Sequence, residues 1–137
     1  MERSLAAFLN PIKVENELVE VSDRFIGEDG NPVKWEIRAI GSKENDQLMR
    51  KHTKRDKKTK QEIFDRTSYI NDLVASAVVY PDLKNSELQQ AYGVLGEVEL
   101  LQKMLSVMGE FMRLSESVQK LSGLDVEDED QVEAIKN

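Results

Sequence analysis

The sequence contains no cysteine. A disulfide framework and a thiolate metal site are both excluded, and the usage fits a reducing compartment. Histidine is almost as scarce, since His52 is the only one, so nucleophilic or acid–base catalysis that relies on imidazole has a single residue to draw on. His52 stands beside a run of cations and reads as a surface histidine. The apolar runs are short, Ala77-Val78-Val79-Tyr80 being typical, which excludes a membrane-spanning helix. Leu5-Ala6-Ala7-Phe8-Leu9 is too short for the apolar part of a signal peptide, and no small-residue cleavage site follows it. The seven glycines are scattered and form neither GxxxxGK(S/T) nor GxGxxG, so the phosphate-cradling loops are missing. Aromatic residues make up 6% of the chain, which limits it to a modest core.

What the sequence has in abundance is charge. Of its 137 residues 33% are charged, for a net of −7, and the distribution is uneven. Between Arg50 and Lys60 seven of eleven residues are basic against one acid, Asp56, which leaves −13 for the remainder. The length suits one domain over residues 1–124 with a flexible basic loop near 50–62. Asp125-Val126-Glu127-Asp128-Glu129-Asp130 then opens a disordered acidic tail over 125–137, too self-repelling and too poor in apolar area to fold. That tail lacks the glycine and spaced ligands of an EF-hand loop, and with 26 acids in the chain paired carboxylates arise by chance. The basic loop could grip nucleic-acid phosphates. It has no interleaved aromatics for stacking, and the acidic remainder would repel such a ligand, so nucleic acid ranks below a protein partner.

The hydropathy pattern predicts an α+β fold, an N-terminal β-hairpin packed on a bundle of four to five helices. Val33, Trp35, Ile37 and Ala39 alternate with charged residues at period two. A turn at Asp29-Gly30-Asn31 would set Phe25 opposite Trp35 and Val21 opposite Ala39. Ser42 is the expected N-cap of a first helix through Met49. A second, the most buried, would run from about Asp65 through Ile70, Leu73, Val74, Ala77 and Val78 and stop before Pro81. Ser86-Glu87-Leu88-Gln89 has the form of a capping box for a short helix ending at Gly93. Val98, Leu101, Met104 and Leu105 form one further apolar stripe. Phe111, Leu114, Val118 and Leu121 form another, with a break near Gly109, Ser106 as the cap of the last helix and Gly123 as its stop.

Met104, Met108 and Met112 recur at i, i+4, i+8, a spacing that suits either core filling or an adaptable binding face, because thioethers accommodate poorly matched apolar partners. The candidate partner-binding residues are accordingly Leu101, Met104, Leu105, Met108, Phe111 and Met112. Catalytic and metal-binding residues: none are expected, and no cofactor is implied.

Several blocks taken together resemble a known family. Ser4-Leu5-Ala6-Ala7-Phe8-Leu9, Arg24-Phe25, Asp29-Gly30-Asn31-Pro32-Val33-Lys34-Trp35-Glu36-Ile37, Thr53-Lys54-Arg55, Val78-Val79-Tyr80-Pro81-Asp82-Leu83, Glu87-Leu88-Gln89 with Tyr92-Gly93-Val94, and Glu99-Leu100-Leu101-Gln102-Lys103-Met104-Leu105 occur in the order found in the XkdN-like tail assembly chaperones of contractile-tailed phages and PBSX-like prophages of Gram-positive bacteria. The resemblance spans about residues 4–124 and finds no counterpart for the acidic end. It implies a phage tail assembly chaperone that binds the tape measure protein and keeps it soluble while tail tube subunits gather. It further implies the tail tube protein as another partner and a site of action in the host cytoplasm outside the finished virion, while the apolar face of a lone hairpin, marginal in water, leaves self-association open. The alternatives are a nucleic-acid-binding regulatory protein using residues 50–60 and a structural tail component.

Overall fold

The computed structural model describes residues 3–124. The acidic segment expected as a tail lies outside them. A four-residue helix α1 (Ala6–Leu9) opens the chain and buries none of its side chains. A three-stranded antiparallel sheet follows from β1 (Glu17–Val19), β2 (Trp35–Ile37) and β5 (Val78–Tyr80), in the order β1-β2-β5. Between β2 and β5 come α2 (Ser42–Lys51), a second two-stranded sheet of β3 (Thr53–Arg55) and β4 (Glu62–Phe64), and α3 (Arg66–Ala77). After β5 the chain is helical, through α4 (Ser86–Ala91), α5 (Glu97–Met104) and α6 (Met108–Leu121). No helix among the described residues is long and apolar enough to cross a membrane.

The fold is α+β, as the pattern indicates, but the N-terminal hairpin is wired differently. Val19, not Phe25, is the partner of Trp35, and Glu17 is the partner of Ile37. The tip pairs through an isolated bridge, Ile26 to Pro32, framed by the Val33 N–H to Phe25 carbonyl bond of 2.8 Å and the Gly27 N–H to Asn31 carbonyl bond of 2.9 Å. Residues 20–25 leave the ladder because Ser22, Arg24 and the Val21 carbonyl bond to α6 instead. Phe25 still reaches Trp35 side-on, with ring centroids 6.2 Å apart.

The helices α3 and α6 cover one face of the sheet, where Val19, Trp35 and Ile37 are buried with Val74, Leu114 and Val118. Leu18, Glu36 and Tyr80 stand in one row on the opposite face. Leu18 and Tyr80 are more than half exposed there.

The second helix stops earlier than expected. Val78-Val79-Tyr80 fits a helical period, but its β-branched and aromatic side chains suit the slot beside β2, where Val78 pairs with Ile37 and Tyr80 with Glu36. The basic segment is not an open loop. Thr53–Arg55 and Glu62–Phe64 form a hairpin whose last cross-strand pair, Arg55 with Glu62, joins opposite charges. Asp56 closes the turn by accepting from the Lys58 N–H at 2.8 Å.

Three of the caps sit one residue from their expected places. Gly41 and not Ser42 precedes α2. The Asn85 side chain, not that of Ser86, accepts from the Leu88 N–H at 2.9 Å, so the expected capping box does not form. Gln89 is free to bridge the Leu83 carbonyl and the Gly96 N–H. Val107 replaces Ser106 at the start of α6. At the end of α6, Gly123 adopts φ +91° and its N–H bonds the Lys120 carbonyl, while the Leu124 N–H bonds that of Gln119. This double closure needs a left-handed residue, which glycine supplies without steric cost.

Candidate functional site

The corner between α5 and α6 is held by a set of buried and part-buried hydrogen bonds. Val107 has no side-chain acceptor with which to cap α6, so Glu110, three residues on, reaches back and accepts from the Val107 N–H at 3.2 Å. The same carboxylate is buried and holds Arg24 through two bonds, Nε to Oε2 at 2.8 Å and Nη2 to Oε1 at 2.5 Å. The Ser22 hydroxyl also donates to Glu110. Arg24 then spans the corner, donating from Nη2 to the Met104 carbonyl at 3.0 Å, where α5 ends. Arg113, one turn further along α6, donates to the Val21 carbonyl at 3.1 Å. An open cleft of about 310 Å³ lies beside it, lined by Glu20, Val21, Ser22, Asp23, Pro32 and Arg113.

The electrostatics follow from this geometry. The bonds from Arg24 favour the ionised carboxylate more than burial disfavours it, and those from Ser22 and the Val107 N–H add to them. Together they hold Glu110 at about 2, well below the ordinary carboxyl range.

The six candidate partner-binding residues divide between core and surface. Leu101, Met104 and Leu105 are buried, and Phe111 is half-buried. Met108 is 76% exposed and Met112 52% exposed, with exposed Val107 beside them. Met104 belongs to α5 and the other two methionines to α6, so the break at the corner prevents one continuous methionine face. The structure thus brings Val107, Met108 and Met112 together as an apolar patch on the first turns of α6, with Met104 and Leu105 packed in the core below. Residue spacing did not identify Ser22, Arg24 and Glu110. Glu110 at the third helical position was a legible capping signal, whereas nothing local ties it to Arg24.

His52 departs from its surface reading. Its side chain is 17% exposed and its Nε2 lies 2.8 Å from Asp72 Oδ2, which Lys51 Nζ also approaches at 2.8 Å. Burial would raise the Asp72 carboxyl, and the hydrogen bonds from Lys51 and His52 together outweigh it, so the group is held below its ordinary range. Among the described residues no three His, Asp or Glu side chains converge as a metal site.

The family model for phage XkdN-like tail assembly chaperone proteins matches residues 5–136. Its span includes most of the acidic segment for which the resemblance found no counterpart. The chain is similar to the YqbN protein of Bacillus subtilis (strain 168), at 31% identity over 138 residues, covering 97% of this chain and 93% of that protein. It is also similar to the phage-like element PBSX protein XkdN of the same strain, at 26% identity over 129 residues, with 92% and 87% covered. A crystal structure of YqbN superposes with a TM-score of 0.74 at 26% identity, covering 91% of this chain and 98% of the other.

Proposed function

Because the chain belongs to the XkdN-like family of phage tail assembly chaperones, we propose that it binds the tape measure protein and keeps that long chain soluble while tail tube subunits assemble around it. The observation that carries this reading is the exposed patch of Val107, Met108 and Met112 on a corner fixed by Arg24 and Glu110. A client that is long, helical and amphipathic binds by laying an apolar stripe against such side chains, and flexible thioethers adapt to stripes of differing shape. Phe111 borders the patch, while Leu101, Met104 and Leu105 support it from the core. The charged exterior keeps the loaded complex in solution. The work is binding without catalysis or a cofactor, done in the host cytoplasm by a protein that does not remain in the virion.

Met108→Asp and Met112→Asp test the patch. Both side chains are exposed, so each variant is expected to keep the wild-type free energy of unfolding to within about 0.5 kcal/mol. Each places a charge that the client must desolvate without a partner, and client affinity should fall roughly 10-fold or more. The readout is the soluble fraction of the tape measure protein on co-expression. Folded variants that solubilise it as well as wild type would remove this face from the site.

A further inference from the structure

We propose that the acidic segment 125–137 folds back within its own chain and lies on the basic hairpin of β3 and β4, covering a strongly positive surface on an otherwise acidic protein. The hairpin is built as a platform. Besides its ladder, the Asp56 N–H bonds the Gln61 carbonyl and the Lys60 N–H bonds the Asp56 carbonyl, both at 2.8 Å. At its base the Asp65 N–H bonds the His52 carbonyl at 2.8 Å, and Phe64 leans on Tyr69 of α3 with ring centroids 5.3 Å apart. Lys54, Arg55, Lys57, Lys58 and Lys60 are all exposed on it. An open cleft of about 330 Å³ lies among them, lined by Arg55, Asp56, Lys57 and Lys60.

The cations at the tip stand apart in what surrounds them. Three other basic side chains are engaged directly, Arg24 by Glu110, Arg38 by Glu44 and Lys51 by Asp72. Among the described residues no carboxylate forms an ion pair with Lys57, Lys58 or Lys60. Asp56, the acid nearest in sequence, turns its carboxylate to the Lys58 backbone N–H. Like charges crowded on one two-stranded hairpin repel each other, and a polyanion that settles on them relieves that repulsion.

The chain's own acidic segment is the polyanion within reach. Asp125, Glu127, Asp128, Glu129 and Asp130 place five carboxylates in six residues, with Glu133 beyond them and Lys136 the cation of the segment. The Ile40 N–H bonds the Ser122 hydroxyl at 2.9 Å, which fixes the end of α6 beside the entry to α2. From there α2 runs 10 residues toward β3, a rise of about 15 Å, and the strands of the hairpin add about 10 Å. Lys43 and Arg50, exposed and seven positions apart, mark one side of α2 along that path, with Asp46 the exposed acid between them. Beyond Leu124, about six residues span up to ~20 Å and about thirteen up to ~45 Å, so the acidic run can lie along the hairpin without leaving its own chain. The short tether holds it there at an effective concentration on the order of millimolar. Any other polyanion must then displace it.

Because the chain has no cysteine, Gln131→Cys gives it a single thiol for a nitroxide spin label. Paramagnetic broadening of backbone amide peaks is then read at the hairpin. In about 0.1 M salt the peaks of residues 57–60 are expected to weaken several-fold, and to recover in about 1 M salt, where the screening length falls from about 10 Å to about 3 Å. Reversing the hairpin with Lys57→Glu, Lys58→Glu and Lys60→Glu should abolish the broadening and leave peaks outside the hairpin unmoved. Adding Asp128→Lys, Glu129→Lys and Asp130→Lys to that variant should bring it back. Peaks at 57–60 that keep their full intensity beside the label would overturn the proposal. So would broadening that survives the hairpin reversal, or a double reversal that fails to restore it. Isotope-labelled chains without nitroxide, mixed with unlabelled chains that carry it, should show no broadening; if they do, the segment reaches a different copy and the fold-back is wrong.

Discussion

Replacing Trp35 with alanine is expected to lower the free energy of unfolding by about 3–5 kcal/mol. Only 1% of Trp35 is exposed. It pairs with Val19 across the ladder, packs at a tilt against Phe25, and sits on the strand that joins both edges of the sheet. A cavity there cannot collapse easily, because α3 and α6 hold the covering layer from the other side. Against a total stability of roughly 5–15 kcal/mol, the loss would leave a marginal protein. Urea unfolding should show a lower midpoint with little change in slope. An unchanged midpoint would mean that the indole is not part of the core.

The second large effect is expected at Glu110. Its carboxyl titrates at about 2 in the folded protein against an ordinary 4.5. Between those values the unfolded chain binds more protons than the folded one, so the contribution is complete above about pH 4.5 and drains away as pH falls toward 2. Glu110→Gln keeps the shape and removes the charge. At neutral pH it should cost about 1.5–3 kcal/mol, the usual worth of hydrogen bonds to a charged group. Its stability should also fall less steeply with acid over that window. Arg24→Met should move the carboxyl back toward its ordinary value, because the remaining donors, Ser22 and the Val107 N–H, do not replace a guanidinium. Equal acid sensitivity in wild type and Glu110→Gln would show that the pair contributes nothing to the pH dependence.

The elements that could be read from the sequence are those whose own residues decide them. In α6, Leu114 and Val118 alternate with charge at a helical period, and Gly123 ends the helix by geometry that only a left-handed residue meets easily. What was missed was decided elsewhere in the chain. Val78-Val79-Tyr80 becomes a strand because β2 offers an edge, a fact absent from its own pattern. The register of β1 on β2 is set by Ser22 and Arg24 turning toward α6 and not by the turn at Asp29-Gly30-Asn31. The caps moved by one residue where two adjacent residues could each begin a helix, as at Asn85-Ser86. The hairpin in the basic segment has one local signal, the cross-strand pair of Arg55 with Glu62, which joins opposite charges amid a run of lysines.

Of the candidate site, spacing marked the apolar side chains but not their depth. Met104 and Met108 are equally apolar and four residues apart, yet one is 5% exposed and the other 76%. The corner between them rotates α6 relative to α5, and no periodicity continues through such a break. Depth follows from the corner, and the corner follows from an arginine far away in the chain.

That distance also governs the order in which the protein can be made. Arg24 meets Glu110 across 86 positions, and the Ile40 N–H meets the Ser122 hydroxyl across 82. The first third of the chain therefore leaves the ribosome long before the helix that fixes it exists. At about 5–20 residues per second, the interval lasts several seconds. During it Val21, Trp35 and Ile37 have no cover, and the late, non-local contacts make closure of the fold a post-translational event. A nascent chain stalled before α6 would present these side chains to the cell, so a member of a chaperone family passes through a stage in which it would itself be a client.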